Sequence, residues 1–130
     1  MRPVESFSFP VEKIKEGYYT DAYFMRSEEI LNGDNYHPRV LMQVFARDHV
    51  VVCGTDEVIA LIRQCAFHPE TIEIHSLRDG EEVDEWETVM TIEGDYADFA
   101  HLETIYLGIL ARQSRIATNV RRVVKAANGK

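Results

Sequence analysis

The chain has 130 residues, of which 45% are hydrophobic and 28% are charged, and this length and composition are typical of a single soluble globular domain. With a formal net charge of −8, non-specific binding to nucleic acid is not expected, and no apolar run approaches the roughly 18 residues that a membrane-spanning helix requires. The N-terminal stretch MRPVESFSFP lacks the apolar segment of a signal peptide. We therefore expect a cytoplasmic protein without membrane or nucleic-acid partners, in which Cys53 and Cys65 are reduced core thiols.

Charge is distributed unevenly along the chain. All 22 acidic residues lie at or before Glu103 and six of the 14 basic residues follow it, so the first part carries 8 basic against 22 acidic residues while the last segment carries +6. The six are Arg112, Arg115, Arg121, Arg122, Lys125 and Lys130. Cations near a helix end complement the helix dipole, but several basic turns without acidic neighbours also suit an anionic ligand or an acidic neighbouring surface. Both interpretations stay open.

In the first half of the chain, the residue pattern predicts an extended arm, a helix and two strands. Residues 1–17 form the arm, and Thr20 is the N-cap of a helix that ends near Asn32. RVLMQVFARD alternates as a strand with both faces partly covered, and HVVVCG is a short second strand or bridge.

The second half predicts a helix capped by Thr55, a pair of strands and a long closing helix. TIEIHSL and TVMTIEG are strands joined by a turn at Asp79-Gly80, whose acidic residues form a solvated tip rather than a cation site. In the closing helix, apolar residues recur every three or four positions through its polar stretch and predict one continuous stripe that faces the core. The stripe consists of Leu102, Ile105, Tyr106, Ile109, Leu110, Ile116, Val120, Val123, Val124 and Ala127. These elements predict one domain over residues 1–130, an α+β fold in which an antiparallel sheet carries helices on one face.

No complete catalytic or metal-binding constellation occurs in the chain. The five histidines are scattered without an HxxxH pair, and P-loop, GxGxxG and GxSxG motifs are absent. We therefore predict no catalytic residue and no metal ligand. Two stretches remain candidates for binding: YYTDAYF, which places aromatic rings beside the N–H donors of a helix start, and the polar face of the closing helix.

Three segments, in order, resemble the N-terminal part of nicotinate phosphoribosyltransferases, within the group that includes the quinolinate enzymes. YTDAYFMRS is similar to the family's TDxYF-type opening helix, and VVVCGTDEVIALI is similar to its strand-to-helix turn. VMTIEGDYADFAHLETIYLGILARQSRIATNVRR is similar to its IEGP-type strand followed by LETPLL and ATNxxR. The resemblance implies the α/β-hammerhead type N-terminal domain of type II phosphoribosyltransferases, which leads into an α/β barrel that would begin about where this chain ends.

The resemblance also implies an activity for a complete enzyme of NAD biosynthesis. That enzyme would transfer ribose phosphate from phosphoribosyl pyrophosphate to nicotinate, with magnesium and ATP as cofactors that this chain itself does not hold. The chain alone is expected to be inactive and to associate as a homo-oligomer, such as a dimer, or with a barrel domain. The alternatives are a relative that acts on nicotinamide or another pyridine, and a non-catalytic interaction module with the same fold.

By the same resemblance, some residues are assigned to substrate binding. They are Tyr23, Thr20, Asp21, Glu103, Thr104, Arg121 and Arg122. Tyr23 would stack on the pyridine ring, its two neighbours would position the helix, Glu103 and Thr104 would lie at the entrance of the acid pocket, and either arginine would face phosphate or carboxylate. Each residue also has a structural interpretation: Tyr23 as a core aromatic, Glu103 as a first-turn acid and the arginines as solvated cations.

The chain departs from the family's pattern at two positions, of which one bears on the choice of substrate and the other on the shape of the closing helix. Quinolinate enzymes carry Glu-Arg where this chain has Glu103-Thr104, and a threonine suits a substrate with one carboxylate because an unpaired buried arginine would be costly. Relatives often have Ser-Gly-Ile-Ala-Thr where this chain has Ser-Arg-Ile-Ala-Thr from Ser114. Arginine in place of that glycine predicts a continuous helix rather than a tight turn.

Overall fold

The computed structural model describes residues 1–130 and contains five helices and five strands. The helices are α1 (Val11–Lys15), α2 (Ala22–Gly33), α3 (Thr55–Cys65), α4 (Tyr96–Phe99) and α5 (Glu103–Ala127). The strands are β1 (Arg39–Phe45), β2 (Val50–Val51), β3 (Glu73–Ser76), β4 (Glu82–Val83) and β5 (Thr88–Asp95). Short turns of 3₁₀ helix occur at Val4–Ser6, Pro69–Thr71 and Ala100–Leu102.

An antiparallel three-stranded sheet in the order β1-β5-β3 carries helices on one face, which confirms the predicted α+β fold. The central strand β5 buries Val89, Met90 and Ile92. Along β1, exposed and half-buried side chains alternate, so only one face of this strand is covered and the prediction of two partly covered faces is wrong. On the open face Leu41 is 62% exposed.

The core lies between the covered face of the sheet and two helices. Apolar residues of α3 recur every three or four positions, so they share one face, and Val58, Leu61 and Ile62 on that face are fully buried. The segment from Phe99 to Leu110 completes the core. One cluster contains all of the larger buried apolar residues except Val51, so the chain has a single core.

Residues 1–17 are not the extended arm that the sequence predicts. They contain the 3₁₀ turn Val4–Ser6 and helix α1, whose Ile14 is 3% exposed. Gln64 of α3 donates from Nε2 to the carbonyl oxygens of Val4 and Phe7, at 2.9 Å each. The turn is therefore held by contacts with a distant helix, which a local residue pattern does not reveal.

The two predicted N-caps each lie one residue from the observed position. Asp21, and not Thr20, precedes α2, while Gly54 precedes α3 with a φ of 102°. Neither residue caps its helix with its own side chain. For α3 the acceptor comes from across the fold, since Asp79 Oδ1 accepts from both the backbone N–H and the hydroxyl of Thr55 at 2.8 Å.

The acidic loop after β3 is exposed to solvent, as the sequence predicts, but it also contacts other elements of the fold. Its residues Glu82 and Val83 form β4, which pairs with β2 to make a second, two-stranded sheet. Glu82 also accepts from Arg121 of α5 at 2.7 Å, and Asp84 contacts His49 at 2.8 Å. The loop therefore braces the second sheet and α5.

Helix α5 runs without interruption from Glu103 to Ala127, as the arginine at position 115 predicts. The prediction that its whole apolar stripe packs on the fold is wrong beyond Leu110. The apolar residues that lie 53–67% exposed are Ile116, Val120, Val123 and Val124.

In this second half of α5, the packed face is polar. The hydroxyl of Thr118, 8% exposed, accepts from the backbone N–H of Val51 at 2.9 Å. Ser114 Oγ accepts from the N–H of Cys53 at 3.0 Å. Strand β2 pairs only with β4, so the backbone groups on its other edge need partners. The face of α5 that packs on β2 therefore carries hydroxyl side chains, and the apolar side chains of this half of the helix lie on its exposed face.

No helix of the chain combines the length and the apolar character needed to span a membrane. Both cysteines, Cys53 and Cys65, are free. Burial raises the pKa of both thiols above the ordinary value, which disfavours the reactive thiolate.

Candidate functional site

Five of the predicted binding residues come together where α2 begins beside the start of α5. We refer to Thr20, Asp21, Tyr23, Tyr96, Glu103 and Thr104 as the α2–α5 junction. The hydroxyl oxygen of Thr104 lies 3.4 Å from that of Thr20 and accepts a long hydrogen bond from the Asp21 N–H, also at 3.4 Å. Thr104 thus joins the first turn of α5 to the N-terminus of α2, whose N-cap residue supplies no cap of its own.

Tyr23 presents its ring to solvent. The side chain is 70% exposed and meets Phe24 edge-on, with the ring centroids 5.3 Å apart. This exposure excludes the interpretation of Tyr23 as a core aromatic. An exposed flat ring at a helix start is suited to stacking on a planar ligand, so its assigned role stays a prediction that the geometry permits.

Glu103 is fixed by a tyrosine that the sequence analysis missed. Tyr96 Oη donates to Glu103 Oε2 at 3.2 Å. Burial, the Glu103 carboxylate and Tyr23 raise the pKa of Tyr96 to about 12. The Tyr96 hydroxyl is therefore a hydrogen-bond donor at neutral pH and orients the carboxylate, which gives Glu103 a defined place in the junction beyond that of a first-turn acid.

A local signal for Tyr96 is present in the sequence. Asp95 ends β5 and caps α4, because its Oδ1 accepts from the Ala97 N–H at 3.0 Å. An aspartate that follows a strand in this way predicts a short helix, and Tyr96 would be its first residue. The position of Tyr96 relative to Glu103 depends on how that short helix leads into α5.

Arg121 and Arg122 lie far from the junction. From Thr104 to Arg121, α5 rises by about 25 Å, so no small ligand reaches both ends within one chain. The Arg121 guanidinium is paired with Glu82 at 2.7 Å, whereas Arg122 is exposed. An open groove of about 290 Å³ lies in this second region, between β2 and α5.

The groups available at the junction are polar and aromatic, and none of them belongs to a metal-binding cluster. No group of three or more His, Cys, Asp or Glu side chains is placed to hold a metal ion. The junction offers an exposed ring, two threonine hydroxyls and two carboxylates. None of its internal hydrogen bonds involves a Lys or Arg.

Comparison with known proteins identifies a matching family. The model for the quinolinate phosphoribosyl transferase N-terminal domain matches residues 21–114. This range contains the whole junction except Thr20. No curated protein matches the chain.

Solved structures share the fold. The crystal structure of nicotinate-nucleotide pyrophosphorylase from Pyrococcus furiosus is similar with a TM-score of 0.66 and 31% identity, over 80% of this chain and 27% of that one. Nicotinate-nucleotide pyrophosphorylase from Ehrlichia chaffeensis has a TM-score of 0.63 and 18% identity over 79% of this chain and 40% of that one. NadC from Streptococcus pyogenes has a TM-score of 0.62 and 16% identity over 80% of this chain and 40% of that one. The chain thus spans between 27% and 40% of the length of these proteins.

Proposed function

The chain belongs to the family of quinolinate phosphoribosyl transferase N-terminal domains, and from this premise we propose that it serves an enzyme of NAD biosynthesis that transfers ribose phosphate from phosphoribosyl pyrophosphate to a pyridine. In this proposal the chain contributes a surface that binds the pyridine. An α/β barrel, in the same polypeptide or in a partner, completes the reaction centre.

One observation carries this proposal: the junction joins two segments that are distant in sequence and that each resemble the family. The opening TDAYF segment and the LET segment at the start of α5 meet through the Thr104 hydroxyl, with the exposed ring of Tyr23 beside them. A planar ring that bears a carboxylate can stack on an aromatic side chain and face the N–H groups of a helix start.

Within this reaction class, the proposed substrate is nicotinate rather than quinolinate, which has one more carboxylate. Quinolinate enzymes resemble this chain in the segment around Thr104, but they carry an arginine at that position. A guanidinium pairs with a carboxylate through two hydrogen bonds, whereas the Thr104 hydroxyl is already engaged with Thr20 and Asp21. A second carboxylate would be desolvated without a partner, at a cost of roughly 2–5 kcal/mol.

A neutral pyridine amide, of which nicotinamide is the example, is the second candidate, and the charge of the junction favours it. Asp21 and Glu103 are both acidic, and the junction's hydrogen bonds include no cation. Carboxylates accept hydrogen bonds from an amide N–H and repel a substrate carboxylate. For nicotinate, the compensating cation must therefore come from the barrel.

The decisive experiment uses the complete enzyme that contains this domain and compares kcat/KM for nicotinate, quinolinate and nicotinamide. The value of kcat/KM for nicotinate should exceed that for quinolinate by about 30-fold or more, since 2 kcal/mol corresponds to that ratio. Thr104→Arg should reduce this ratio. Similar values for the two acids would contradict the assignment of nicotinate, and a preference for nicotinamide would select the second candidate. Absence of transfer to any pyridine would overturn the proposed function.

Tyr23→Ala tests the position of the ring separately. It should raise KM for the pyridine more than KM for phosphoribosyl pyrophosphate, because stacking acts on the ring alone. Tyr18→Ala is the matched control, since Tyr18 is also 70% exposed but lies outside the junction. An equal effect of the two substitutions would show that the site has been placed wrongly.

The phosphate groups, magnesium and, where hydrolysis is coupled, ATP are assigned to the barrel in this proposal. Magnesium would neutralise the departing pyrophosphate there. The chain's own contribution is to orient the pyridine and to exclude water from one side of it.

A further inference from the structure

A buried pair of titratable side chains connects α2 to the rest of the fold. His101 is 0% exposed, and its Nδ1 faces Oε2 of Glu28 at 3.8 Å, with the Glu28 side chain 13% exposed. These two facing atoms are the buried side-chain nitrogen and oxygen atoms that lack a hydrogen-bond partner. A buried polar atom without a partner costs free energy, so the arrangement requires an explanation.

The second ring nitrogen of His101 determines the tautomer. Nε2 lies 2.8 Å from the backbone carbonyl oxygen of Cys65, and because a carbonyl only accepts, Nε2 carries a hydrogen. In the neutral imidazole, Nδ1 then carries no hydrogen, and its lone pair points at Glu28. An ionised Glu28 would place a second acceptor opposite it, whereas a protonated Glu28 can donate O–H to Nδ1 after a small rotation of its side chain.

The surroundings of the pair favour a proton on Glu28. Burial, Glu29 and Asp98 raise the pKa of the Glu28 carboxyl. Burial lowers the pKa of His101, and Lys15 lowers it further, against the hydrogen bond to the backbone and the charge of Asp98. The titratable groups that face the pair are Glu29 from α2, Lys15 from α1, Cys65 from α3, and Asp98 of α4 with its partner His68.

We propose that Glu28 is protonated in the folded chain and that this one proton, donated to His101, is a latch that holds α2 in place. No apolar residue of helix α2 is buried, so few apolar contacts oppose its release. Tyr23 lies on the same helix, and loss of the proton frees the helix and its ring together. That consequence for pyridine binding rests on the proposed function, but the latch does not.

The latch determines how stability depends on pH. In the unfolded chain the two groups titrate near their ordinary pKa values of 4.5 and 6.5. Between these values the folded and the unfolded pair each hold one proton. The pair therefore does not change the free energy of unfolding as the pH varies in this range. Under this proposal the folded pair keeps its proton where the unfolded pair has lost both, so the unfolding equilibrium constant rises with pH there, by up to about tenfold per pH unit, until the latch itself deprotonates. Below pH 4.5 the unfolded pair holds two protons, so stability falls there as well.

The test compares Glu28→Gln with Glu29→Gln by urea denaturation of the isolated chain. Glutamine at position 28 donates an N–H to Nδ1 without titrating, so the ratio of wild-type to variant unfolding constants should rise by up to about tenfold per pH unit above pH 6.5. The same ratio for Glu29→Gln, which removes an equal charge from an exposed neighbour, should stay constant. A Glu28→Gln ratio that does not change with pH overturns the latch.

The protonation state can be read directly, whether or not the variant folds. The carboxyl carbon resonance of Glu28 in wild-type chain, followed by NMR, should have the chemical shift of a protonated acid at about pH 6, where an ordinary glutamate is ionised. An ionised Glu28 at that pH overturns the proposal. Neither measurement uses a pyridine, so failure of the latch leaves the proposed function untouched, and failure of the proposed function leaves the latch untouched.

Discussion

Asp79 shows how one side chain can stabilise a helix that is distant in sequence. Its Oδ1 accepts from the N–H and the hydroxyl of Thr55 at the start of α3, where the helix dipole also favours a carboxylate. We expect Asp79→Ala to reduce the free energy of unfolding by about 1–2 kcal/mol, measured in urea. Glu87→Ala is the control from the same loop, because Glu87 is exposed, and it should change stability by less than about 0.5 kcal/mol. Equal losses for the two variants would show that the cap contributes nothing specific.

The side chain of His68 has a raised pKa that can be measured. The hydrogen bond to the Asp98 carboxylate, together with the charge of Asp98, raises the pKa of His68 above its ordinary value. A histidine whose pKa is raised by folding contributes stability that is present below its unfolded pKa and is lost as the pH rises through its folded pKa. An NMR titration should show the raised pKa, and Asp98→Asn should bring it down. Glu70→Gln, which removes a weaker neighbouring charge, should leave most of the shift; an unchanged titration in Asp98→Asn would refute the assignment.

Among the elements, α5 is the one whose packing departs most from expectation, and its polar face can be tested. Thr118→Val keeps the side-chain volume but removes the acceptor of the buried Val51 N–H. The expected loss is about 1–3 kcal/mol in the free energy of unfolding, since that N–H is left without a partner. Asn119→Ala alters the next, exposed residue and should stay within about 0.5 kcal/mol of wild type. A neutral Thr118→Val would mean that water satisfies β2 at this edge.

Periodicity identified the elements better than it identified their surroundings. The ranges of β1, α3 and α5 follow from alternation or from spacing of three and four, because those repeats are set by backbone geometry. The same spacing at Val120 and Val123 did not reveal which face of α5 packs, because that depends on the unpaired edge of β2. The start of α3 was displaced by one residue because Asp79, and not a neighbour, supplies its cap.

The sequence selects the segments of the candidate site but not the contacts between them. Tyr23, Asp21 and Thr104 lie in segments that resemble the family, whereas the proximity of Thr104 to Asp21 arises from the fold, and their roles in binding stay predictions. Tyr96 and the pair Glu28–His101 were missed, because their partners lie on other elements and no spacing rule connects them. Their roles arise from tertiary contacts alone.

For the whole molecule, the exposed apolar residues of α5 predict association of the isolated chain. Ile116, Val120, Val123 and Val124 are 53–67% exposed, and such a strip favours a dimer or a larger assembly. Sedimentation should show a concentration-dependent increase in mass that Val123→Lys reduces. Ile30→Lys is the control, since Ile30 on α2 is 63% exposed but lies outside the strip. A strictly monomeric chain at high concentration would count against this prediction.

The isolated chain is also predicted to lack activity. Because the proposed function assigns the phosphate groups and magnesium to the barrel, and the chain has no cluster of three or more metal-ligating side chains, incubation with nicotinate, phosphoribosyl pyrophosphate and magnesium should yield no nicotinate mononucleotide. The complete enzyme is the positive control. Turnover by the 130-residue chain would place the reaction centre within it.

The separation of charge along the molecule makes it an electric dipole with α5 at its positive pole. Arg121 is offset by Glu82, but the other cations of the helix are exposed. The helix is about 37 Å long, whereas a charge is screened beyond about 8 Å at physiological ionic strength. An anion that approaches the C-terminal half of α5 is therefore attracted, although the molecule as a whole carries −8. Because the acidic excess lies in the part of the chain before this half of the helix, the charge pattern favours encounters in which an anion approaches from the side of α5.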